Sequence, residues 1–414
     1  MTPLVERDGA LCVEGVPLAE IAERFGTPCF VYSRSALETA YREFDGAFAG
    51  VRHLTCYALK ANSNLAVLDV FARLGSGFDV VSGGELARVV AAGGDPRKVV
   101  FSGVGKSDAE LRQALELGIL CFNVESKSEL EHLDRIAATL GRSAPVSLRV
   151  NPDVDPKTHP YIATGLKENK FGIAFADAVP LYRLAAGLAH VELRGIDIHI
   201  GSQITSLEPY RVAATKLLEL IDALASEGIR LEHVDLGGGL GIRYGDEATV
   251  ALGEYAAMIA GLFRGRRESL LFEPGRRLTG NAGVLLTRVA YLKPGADSSF
   301  AVVDAAMNDL IRPALYDAWH AVQPVRARSE TPRRWQIVGP VCESADFLAR
   351  DRELALAEGD LLAILSAGAY AMAMSSNYNS RPRAAEVLVD GAAAHLVGRR
   401  ETVAELFARE SRLP

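Results

Sequence analysis

The chain has 414 residues, of which 49% are hydrophobic and 23% charged, and this size and composition predict a globular protein of two domains. Its net charge of −7 argues against a partner such as nucleic acid or an anionic membrane, and no apolar run is long enough to span a bilayer. The first residues lack the pattern of a signal peptide, and five scattered cysteines form no C-x-x-C pair, so we expect reduced thiols, no metal site and a cytoplasmic location.

Short apolar runs recur along the first two thirds of the chain, each followed by a turn signal and a segment of helical periodicity. They predict strands at 54–58, 78–81, 99–102, 120–124, 146–150, 195–200, 233–236 and 270–273. Amphipathic segments predict helices at 64–74, 85–92, 108–117, 128–140 and 210–226. Repeats of strand and helix over roughly 220 residues indicate a (β/α)8 barrel, which usually has about 250 residues, rather than a doubly wound open sheet.

After about residue 285 the sequence predicts strands that follow one another without long intervening helices. The predicted strands are 284–292, 300–304, 335–338, 361–365, 385–389 and 394–397. A further strand-like segment at 27–32 is expected to pack with them. We therefore predict an α/β protein with a barrel domain at 33–285 and a mainly β domain, sandwich-like or barrel-like, built from 1–32 and 286–414.

The first barrel strand leads into Tyr57-Ala58-Leu59-Lys60-Ala61-Asn62, which places an amine where a strand gives way to a loop. Barrels of this type present their chemistry from the carboxyl ends of the strands. Most lysines are solvated surface charges, but a lysine held against apolar neighbours can attack a carbonyl and form a Schiff base.

Other strand ends supply complementary groups. His199 and Ser202 follow the sixth strand, and the three glycines at 237–239 follow the seventh. The segment Glu273-Pro274-Gly275-Arg276 closes the eighth. Each has an ordinary alternative, namely a core histidine, a tight turn and a surface salt bridge. Because all of them fall at the same end of one barrel, together they match the requirements of a pyridinium cofactor.

This interpretation gives each group a role. Lys60 forms the Schiff base, His199 covers one face of the pyridine ring, and Glu273 keeps the ring nitrogen protonated. The phosphate is bound by backbone N–H groups and charge from the remaining residues, Gly237, Gly238, Gly239, Ser202, Gly275 and Arg276.

At these motifs the chain resembles the alanine-racemase-like barrel decarboxylases of fold type III, and among them the diaminopimelate decarboxylases. Shared features are Y-A-L-K-A-N at 57–62, F-D-V-V-S-G-G-E-L at 78–86, H-I-G-S-Q at 199–203, G-G-G at 237–239 and E-P-G-R at 273–276. Three further segments narrow the choice: R-P-A-L-Y at 312–316, C-E-S-A-D at 342–346 and G-A-Y at 368–370. The resemblance implies pyridoxal 5'-phosphate as cofactor and a contact of Tyr370 with both cofactor and substrate.

The resemblance also implies the reaction, decarboxylation of meso-2,6-diaminopimelate to L-lysine and CO2, the last step of lysine biosynthesis. Arg276 and Arg312 suit a distal carboxylate, because guanidinium matches carboxylate in a two-point fork. Tyr316 can add a hydroxyl donor, and Glu343 can pair with the distal ammonium. In this family Cys342 supplies the proton to the carbanion, and its segment reaches the site of a partner subunit, which implies a homodimer.

Three alternatives stay open at this point. The first is a related decarboxylase of another diamino acid, of the carboxynorspermidine or the ornithine/arginine type. Ornithine is disfavoured on charge, because its distal amine needs only an acidic group and the substrate arginines would be misplaced. The second is a non-catalytic homologue that binds the cofactor without turnover. A racemase is the third, and it would need a second base opposite Lys60.

Overall fold

The structure, a computed structural model, describes residues 3–156, 158–162, 164–165 and 170–414. Its internal contacts divide the chain into two compact units. The barrel unit comprises Ala40–Ile242 and Ala248–Leu278, and the β unit comprises the chain up to Thr39 together with Arg243–Glu247 and Thr279–Pro414.

Within the described part of the barrel unit, eight parallel strands close into a barrel. Each predicted barrel strand is confirmed with ends that differ by a few residues. The strands are His53–Ala58, Gly77–Val80, Val99–Phe101, Cys121–Val124, Ala144–Asn151, Val191–Asp197, His233–Asp235 and Ser269–Phe272. The prediction of a (β/α)8 barrel is therefore correct. A short strand, Ile173–Ala174, pairs beside Ala144–Asn151.

The helices that follow the strands begin and end at recognisable caps. Asp108–Leu117 starts with a capping box of Ser107 and Glu110 and ends at Gly118, whose φ is 69°. Ser126 caps the next helix by accepting from the Glu129 N–H at 3.2 Å. The helices are Leu18–Phe25, Arg34–Ala47, Leu65–Arg73, Gly83–Ala91, Asp108–Leu117, Lys127–Leu140, Ala178–Ala186, Glu208–Ser226, Leu252–Leu262, Arg276–Thr279, Arg312–Tyr316 and Val403–Leu406. Among the described residues, no helix has both the length and the apolar character needed to cross a bilayer.

The β unit is built on a large mixed sheet that includes the amino-terminal strand Cys29–Ser33. This strand pairs antiparallel with Gly283–Lys293 and parallel with Ala385–Asp390, so the prediction that 27–32 packs with the later strands is confirmed. A small antiparallel sheet precedes it. The strands of the unit are Leu4–Arg7, Ala10–Val13, Val16–Pro17, Cys29–Ser33, Gly283–Lys293, Phe300–Val303, Val322–Pro324, Arg333–Val338, Phe347–Leu354, Leu361–Ile364, Ala385–Asp390 and Ala393–Gly398.

Alternating side chains of these strands form the core of the β unit. Val31, Val284, Leu286, Ala363 and Val387 are each 0% exposed and belong to one apolar cluster. The members of this cluster that share a strand stand two residues apart, so a slip of the register by one residue would move them to the opposite face of the sheet. The predicted mainly β domain is therefore present.

Candidate active site

Lys60 lies where the sequence predicts, in the short turn Leu59–Ala61 directly after the first barrel strand. Its Nζ is 2.5 Å from Oδ2 of Asp79, which stands near the end of the neighbouring strand and is 1% exposed. The amine therefore contacts a buried carboxylate, whereas the sequence argument expected apolar neighbours. Asp79 lies within the F-D-V-V motif, but sequence reasoning gave it no role, because one acid inside an apolar run carries no signal of its partner.

Side chains on either side of Lys60 fix the turn. The Tyr57 hydroxyl donates to the Asn62 carbonyl oxygen at 2.8 Å, and the Tyr57 ring packs on Phe71 with centroids 4.4 Å apart. Asn64 caps the following helix by accepting from the Ala66 N–H at 2.9 Å. The lysine is thus carried by a rigid strand–turn–helix connection rather than by a mobile loop.

The glycines after the seventh strand allow close packing of strand ends. A Cβ atom on Gly238 would overlap the Glu273 carbonyl oxygen, and one on Gly239 would overlap the Gly201 carbonyl oxygen. The φ angles of Gly237 and Gly239 are 63° and 98°, a region that favours glycine. The Gly237 N–H donates to Oδ1 of Asp235 at 2.8 Å, so this amide already has a protein acceptor.

His199 is held by the same loop. Its Nδ1 accepts from the Gly238 N–H at 3.2 Å, which leaves the ring proton on Nε2. Burial, followed by the positive charges of Arg149 and Lys60, lowers the pKa of His199 well below its ordinary value. A neutral imidazole can pack against a flat ring without bringing a charge.

Ser202 and Arg276 come together from the ends of the sixth and eighth strands. An Arg276 Nη2 donates to the Ser202 hydroxyl oxygen at 3.0 Å, and Arg276 is only 6% exposed. A Cβ atom on Gly275 would lie 3.1 Å from Ala61 Cβ, so this turn runs close to the turn that carries Lys60. The structure therefore joins a hydroxyl and a guanidinium beside the lysine turn, as an anion site needs.

Glu273 lies among buried carboxyl groups at the strand ends. It is 5% exposed, and oxygen atoms of Asp197, Asp235 and Glu273 all lie within 4.8 Å of one another. Asn123 Nδ2 donates to Glu273 Oε1 at 3.3 Å, and Arg149 Nε is 3.8 Å from Asp197 Oδ2. Sequence reasoning missed Asp197, Asp235 and Asn123, which are ordinary residues of a strand when read alone.

Burial dominates the electrostatics of this acidic cluster. Desolvation, reinforced by the charges of Asp235, Asp79 and Asp197, raises the pKa of Glu273 well above its usual range. Desolvation also raises the pKa of Asp235 to about 7, with the Gly237 N–H opposing it. Ionised Glu273 therefore needs a cationic partner, and a protonated pyridine nitrogen has that charge.

The residues of the barrel unit fit pyridoxal phosphate by their chemistry. They offer a primary amine at a strand end, a neutral imidazole, an acid that needs a cation, and a guanidinium with a hydroxyl. Within the described part of the chain, Oδ1 of Asp79 has no hydrogen-bond partner although it is buried. Such an atom beside the lysine is suited to a polar group of a bound cofactor.

Apart from Arg276, which is in the barrel unit, the predicted substrate residues lie in the β unit. Arg312 begins the short helix Arg312–Tyr316 and is 5% exposed, and Tyr316 is half-buried at its end. The Arg312 Nη1 is 2.9 Å from Nε2 of His320, and its guanidinium carbon lies 4.5 Å from the centroid of the Tyr244 ring. Sequence reasoning assigned no role to His320 or Tyr244, since nothing in either local sequence indicates the contact.

The C-E-S-A-D segment forms an exposed turn. Cys342 and Glu343 are both exposed, and the Cys342 N–H donates to Asn379 Oδ1 at 2.8 Å. Asp346 is buried and accepts from the Met307 and Val341 N–H groups at 2.7 and 2.8 Å. The aspartate therefore fixes the turn, while the thiol and the glutamate face outward.

Tyr370 follows a glycine that the backbone requires. A Cβ atom on Gly368 would overlap the Thr279 carbonyl oxygen, and the Gly368 N–H donates to the Gly280 carbonyl oxygen at 3.1 Å. Tyr370 itself is half-buried with φ at 54°. An unfavourable backbone angle at a bulky residue is often retained at functional sites.

Comparison with known proteins adds an independent line of support. Residues 34–280 match the family described as "Pyridoxal-dependent decarboxylase, pyridoxal binding domain". The diaminopimelate decarboxylase of Pseudomonas aeruginosa is 64% identical over 408 residues, which cover 99% of this chain and 98% of that protein. The enzyme of the same name from Vibrio cholerae is 57% identical over 410 residues, with 99% and 98% covered.

The chain belongs to the diaminopimelate decarboxylase family.

Solved structures of the family agree with this conclusion. A diaminopimelate decarboxylase from Helicobacter pylori, in complex with L-lysine, has a TM-score of 0.92 at 42% identity, covering 95% of this chain and 99% of that one. The M. jannaschii enzyme, also solved with L-lysine, has a TM-score of 0.95 at 38% identity, with 99% and 98% covered. The predicted family, fold class, cofactor and decarboxylase activity are therefore confirmed. The roles of the individual site residues stay predictions.

Proposed function

We propose that this member of the diaminopimelate decarboxylase family converts meso-2,6-diaminopimelate to L-lysine and CO2. The observation that carries the substrate assignment is the buried guanidinium of Arg312 in the β unit. A buried guanidinium suits a carboxylate, and diaminopimelate has one at each end of the molecule. Ornithine has no distal carboxylate with which to bind this guanidinium.

In the barrel unit, five side chains would hold the cofactor in place. Lys60 would hold the cofactor through its amine, which donates a hydrogen bond to Asp79 in this structure. Glu273 holds a proton at the pyridine nitrogen, and Arg276 with Ser202 contributes charge and a hydroxyl for the phosphate. When bound, pyridoxal phosphate provides an electron sink for the electron pair released as CO2 departs.

The remaining steps belong to the substrate residues. Arg312 binds the distal carboxylate, Tyr316 adds a hydroxyl donor and Glu343 pairs with the distal ammonium, while Tyr370 contacts cofactor and substrate. The bond between Cα and one carboxyl carbon breaks, its electron pair stays on Cα, and CO2 leaves. A proton from the Cys342 thiol then completes L-lysine, and solvent restores the thiol.

We further propose that the enzyme works as a homodimer in the cytoplasm. Cys342 and Glu343 are exposed in the single chain, although a proton donor in this reaction works best away from bulk water. A partner subunit that covers the turn would supply this protection. The five cysteines are free thiols, which suits a reducing compartment.

The purified protein, loaded with pyridoxal phosphate, tests the assignment directly. We expect release of CO2 and an equal amount of L-lysine from meso-diaminopimelate, and much slower turnover of ornithine and arginine. Lys60→Ala should be inactive in this assay, and Lys98→Ala is its matched control. Lys98 is a lysine of the barrel unit that donates to the Gly75 carbonyl oxygen and is not among the proposed site residues. Turnover of ornithine at the higher rate would contradict the substrate assignment.

A further inference from the structure

Three side chains of the β unit, those of Arg312, His320 and Tyr244, form a compact group. Nη1 of Arg312 lies 2.9 Å from Nε2 of His320, and its guanidinium carbon lies 4.5 Å from the centroid of the Tyr244 ring. The rings of Tyr244 and His320 meet edge to face, with centroids 5.2 Å apart and planes at 77°. We call this group the Arg312 clamp, and it consists of Arg312, His320 and Tyr244.

Hydrogen bonds fix the protonation pattern of His320. Its Nδ1 is 2.8 Å from the Leu365 carbonyl oxygen, which can only accept, so Nδ1 must carry the ring proton. Nε2 is then unprotonated and accepts from Arg312. His320 is 0% exposed, so water has little access to either nitrogen.

The backbone around His320 is fixed as well. Its carbonyl oxygen accepts from Arg352 Nη2 at 2.9 Å, and the Arg352 guanidinium lies over the Trp319 ring at 4.6 Å. The Leu365 N–H donates to the Ala321 carbonyl oxygen at 2.9 Å, where the strand Val322–Pro324 begins to pair with Leu361–Ile364. The imidazole therefore has one position relative to the strand that supplies its acceptor.

We propose that His320 and Tyr244 are positioning residues that orient the Arg312 guanidinium for the distal carboxylate of the substrate. This inference rests on the proposed function of Arg312. A neutral imidazole orients the guanidinium without cancelling its charge, whereas an acidic partner would compete with the substrate carboxylate. The Tyr244 ring stabilises the cation through its π face.

Orientation matters because an arginine side chain has many rotamers in solution. Fixing the guanidinium in advance lowers the entropy lost when the carboxylate binds. The clamp should therefore affect affinity for ligands with a carboxylate at this position, and should affect the bond-breaking step much less. Ligands that differ by a carboxylate can separate these two effects.

The test uses the holoenzyme and two inhibitors, L-lysine and cadaverine, the diamine that lacks the lysine carboxylate. His320→Leu removes both ring nitrogens, and we expect the KM for meso-diaminopimelate and the inhibition constant for L-lysine to rise about 10-fold or more. The inhibition constant for cadaverine should change less than about 2-fold, and kcat less than about 3-fold. His320→Gln restores an acceptor and should recover much of the lysine affinity.

Tyr244 gives a second comparison if the buried histidine variant folds poorly. Tyr244→Leu removes the π face and should raise the lysine inhibition constant about 3-fold to 10-fold, whereas Tyr244→Phe retains the face and should largely keep it. His395→Leu is a matched control, because His395 is an exposed histidine on a strand of the same unit. Circular dichroism of each variant verifies that it is folded.

The possible outcomes separate the inference from the function on which it rests. Wild-type protein that does not decarboxylate meso-diaminopimelate overturns the proposed function and this inference with it. Active wild-type protein with an unchanged ratio of lysine to cadaverine inhibition constants in both His320→Leu and Tyr244→Leu overturns the inference alone. An equal loss of affinity for both inhibitors also overturns it, because it would show a general structural role.

Discussion

The acidic cluster of the barrel unit predicts an unusual dependence of stability on pH. Asp235 is 0% exposed, and desolvation raises its pKa from 3.8 to about 7. Because the folded-state pKa of this acid is the higher one, the folded state binds more protons between pH 3.8 and about 7. The free energy of unfolding contributed by Asp235 therefore falls as the pH rises through this window, and the loss is complete above about pH 7.

The magnitude follows from the two pKa values. Their difference of about 3 corresponds to about 4 kcal/mol of unfolding free energy at high pH, to be shared with the neighbouring acids that titrate with it. Asp235→Asn keeps an oxygen for the Gly237 N–H but cannot ionise. We therefore expect the cofactor-free variant to be more stable than cofactor-free wild type by up to about 4 kcal/mol at pH 8.5, and by less than about 1 kcal/mol at pH 4.

Urea unfolding followed by far-ultraviolet circular dichroism, at several pH values, measures this difference. Asp222→Asn is the control, because Asp222 is an exposed partner of Arg266 and should give a difference that varies little with pH. Adding pyridoxal phosphate to wild type should reduce the pH dependence, since a cation at Glu273 stabilises the ionised cluster. A stability difference between Asp235→Asn and wild type that stays constant from pH 5 to 8.5 would refute the reasoning.

Three further predictions concern the site residues. Lys60→Ala should lose the visible absorbance of lysine-bound pyridoxal phosphate and all turnover, and retention of both would remove Lys60 from the site. Glu273→Gln lacks the negative charge that stabilises a protonated ring nitrogen, so it should lower kcat about 100-fold or more in steady-state assays. The cofactor should still bind to this variant, as measured by equilibrium dialysis. Arg312→Ala should raise KM about 100-fold, whereas Cys342→Ala should mainly lower kcat. After the two proteins exchange subunits, about a quarter of wild-type activity should return if each site uses both chains, and none if it uses one.

The barrel could be read from the sequence because parallel strands buried on both faces are continuous apolar runs. Phe78, Val99 and Phe122 illustrate this, since each is 0% exposed within a strand predicted from hydrophobicity alone. The strand Phe347–Leu354 was missed for the opposite reason. It contains two arginines, an aspartate and a glutamate, and it pairs with Arg333–Val338 on one side only. An edge strand exposes polar side chains, so its sequence does not resemble a buried strand.

Other strands were not predicted because they are short. Val322–Pro324 is short and ends at a proline, which normally indicates a turn. The strands of the amino-terminal sheet are two to four residues long, too short for alternation to be visible. The helix Arg34–Ala47 was also not predicted. Local patterns therefore identified the buried strands of the barrel, and missed strands that are short or lie at an edge of a sheet.

The candidate site shows where motif reasoning ends. Lys60, Glu273 and Arg276 were predicted because they end barrel strands, a position that the fold alone makes functional. Asp79 and His320 could not be predicted, because each acts through one atom-level contact with a residue distant in sequence or on another element. These partners determine the state of the residues they touch: one provides an acceptor for the lysine amine, and the other orients a guanidinium without neutralising it. A sequence can place a reactive group at a strand end, but how that group is held depends on distances that only the folded chain defines.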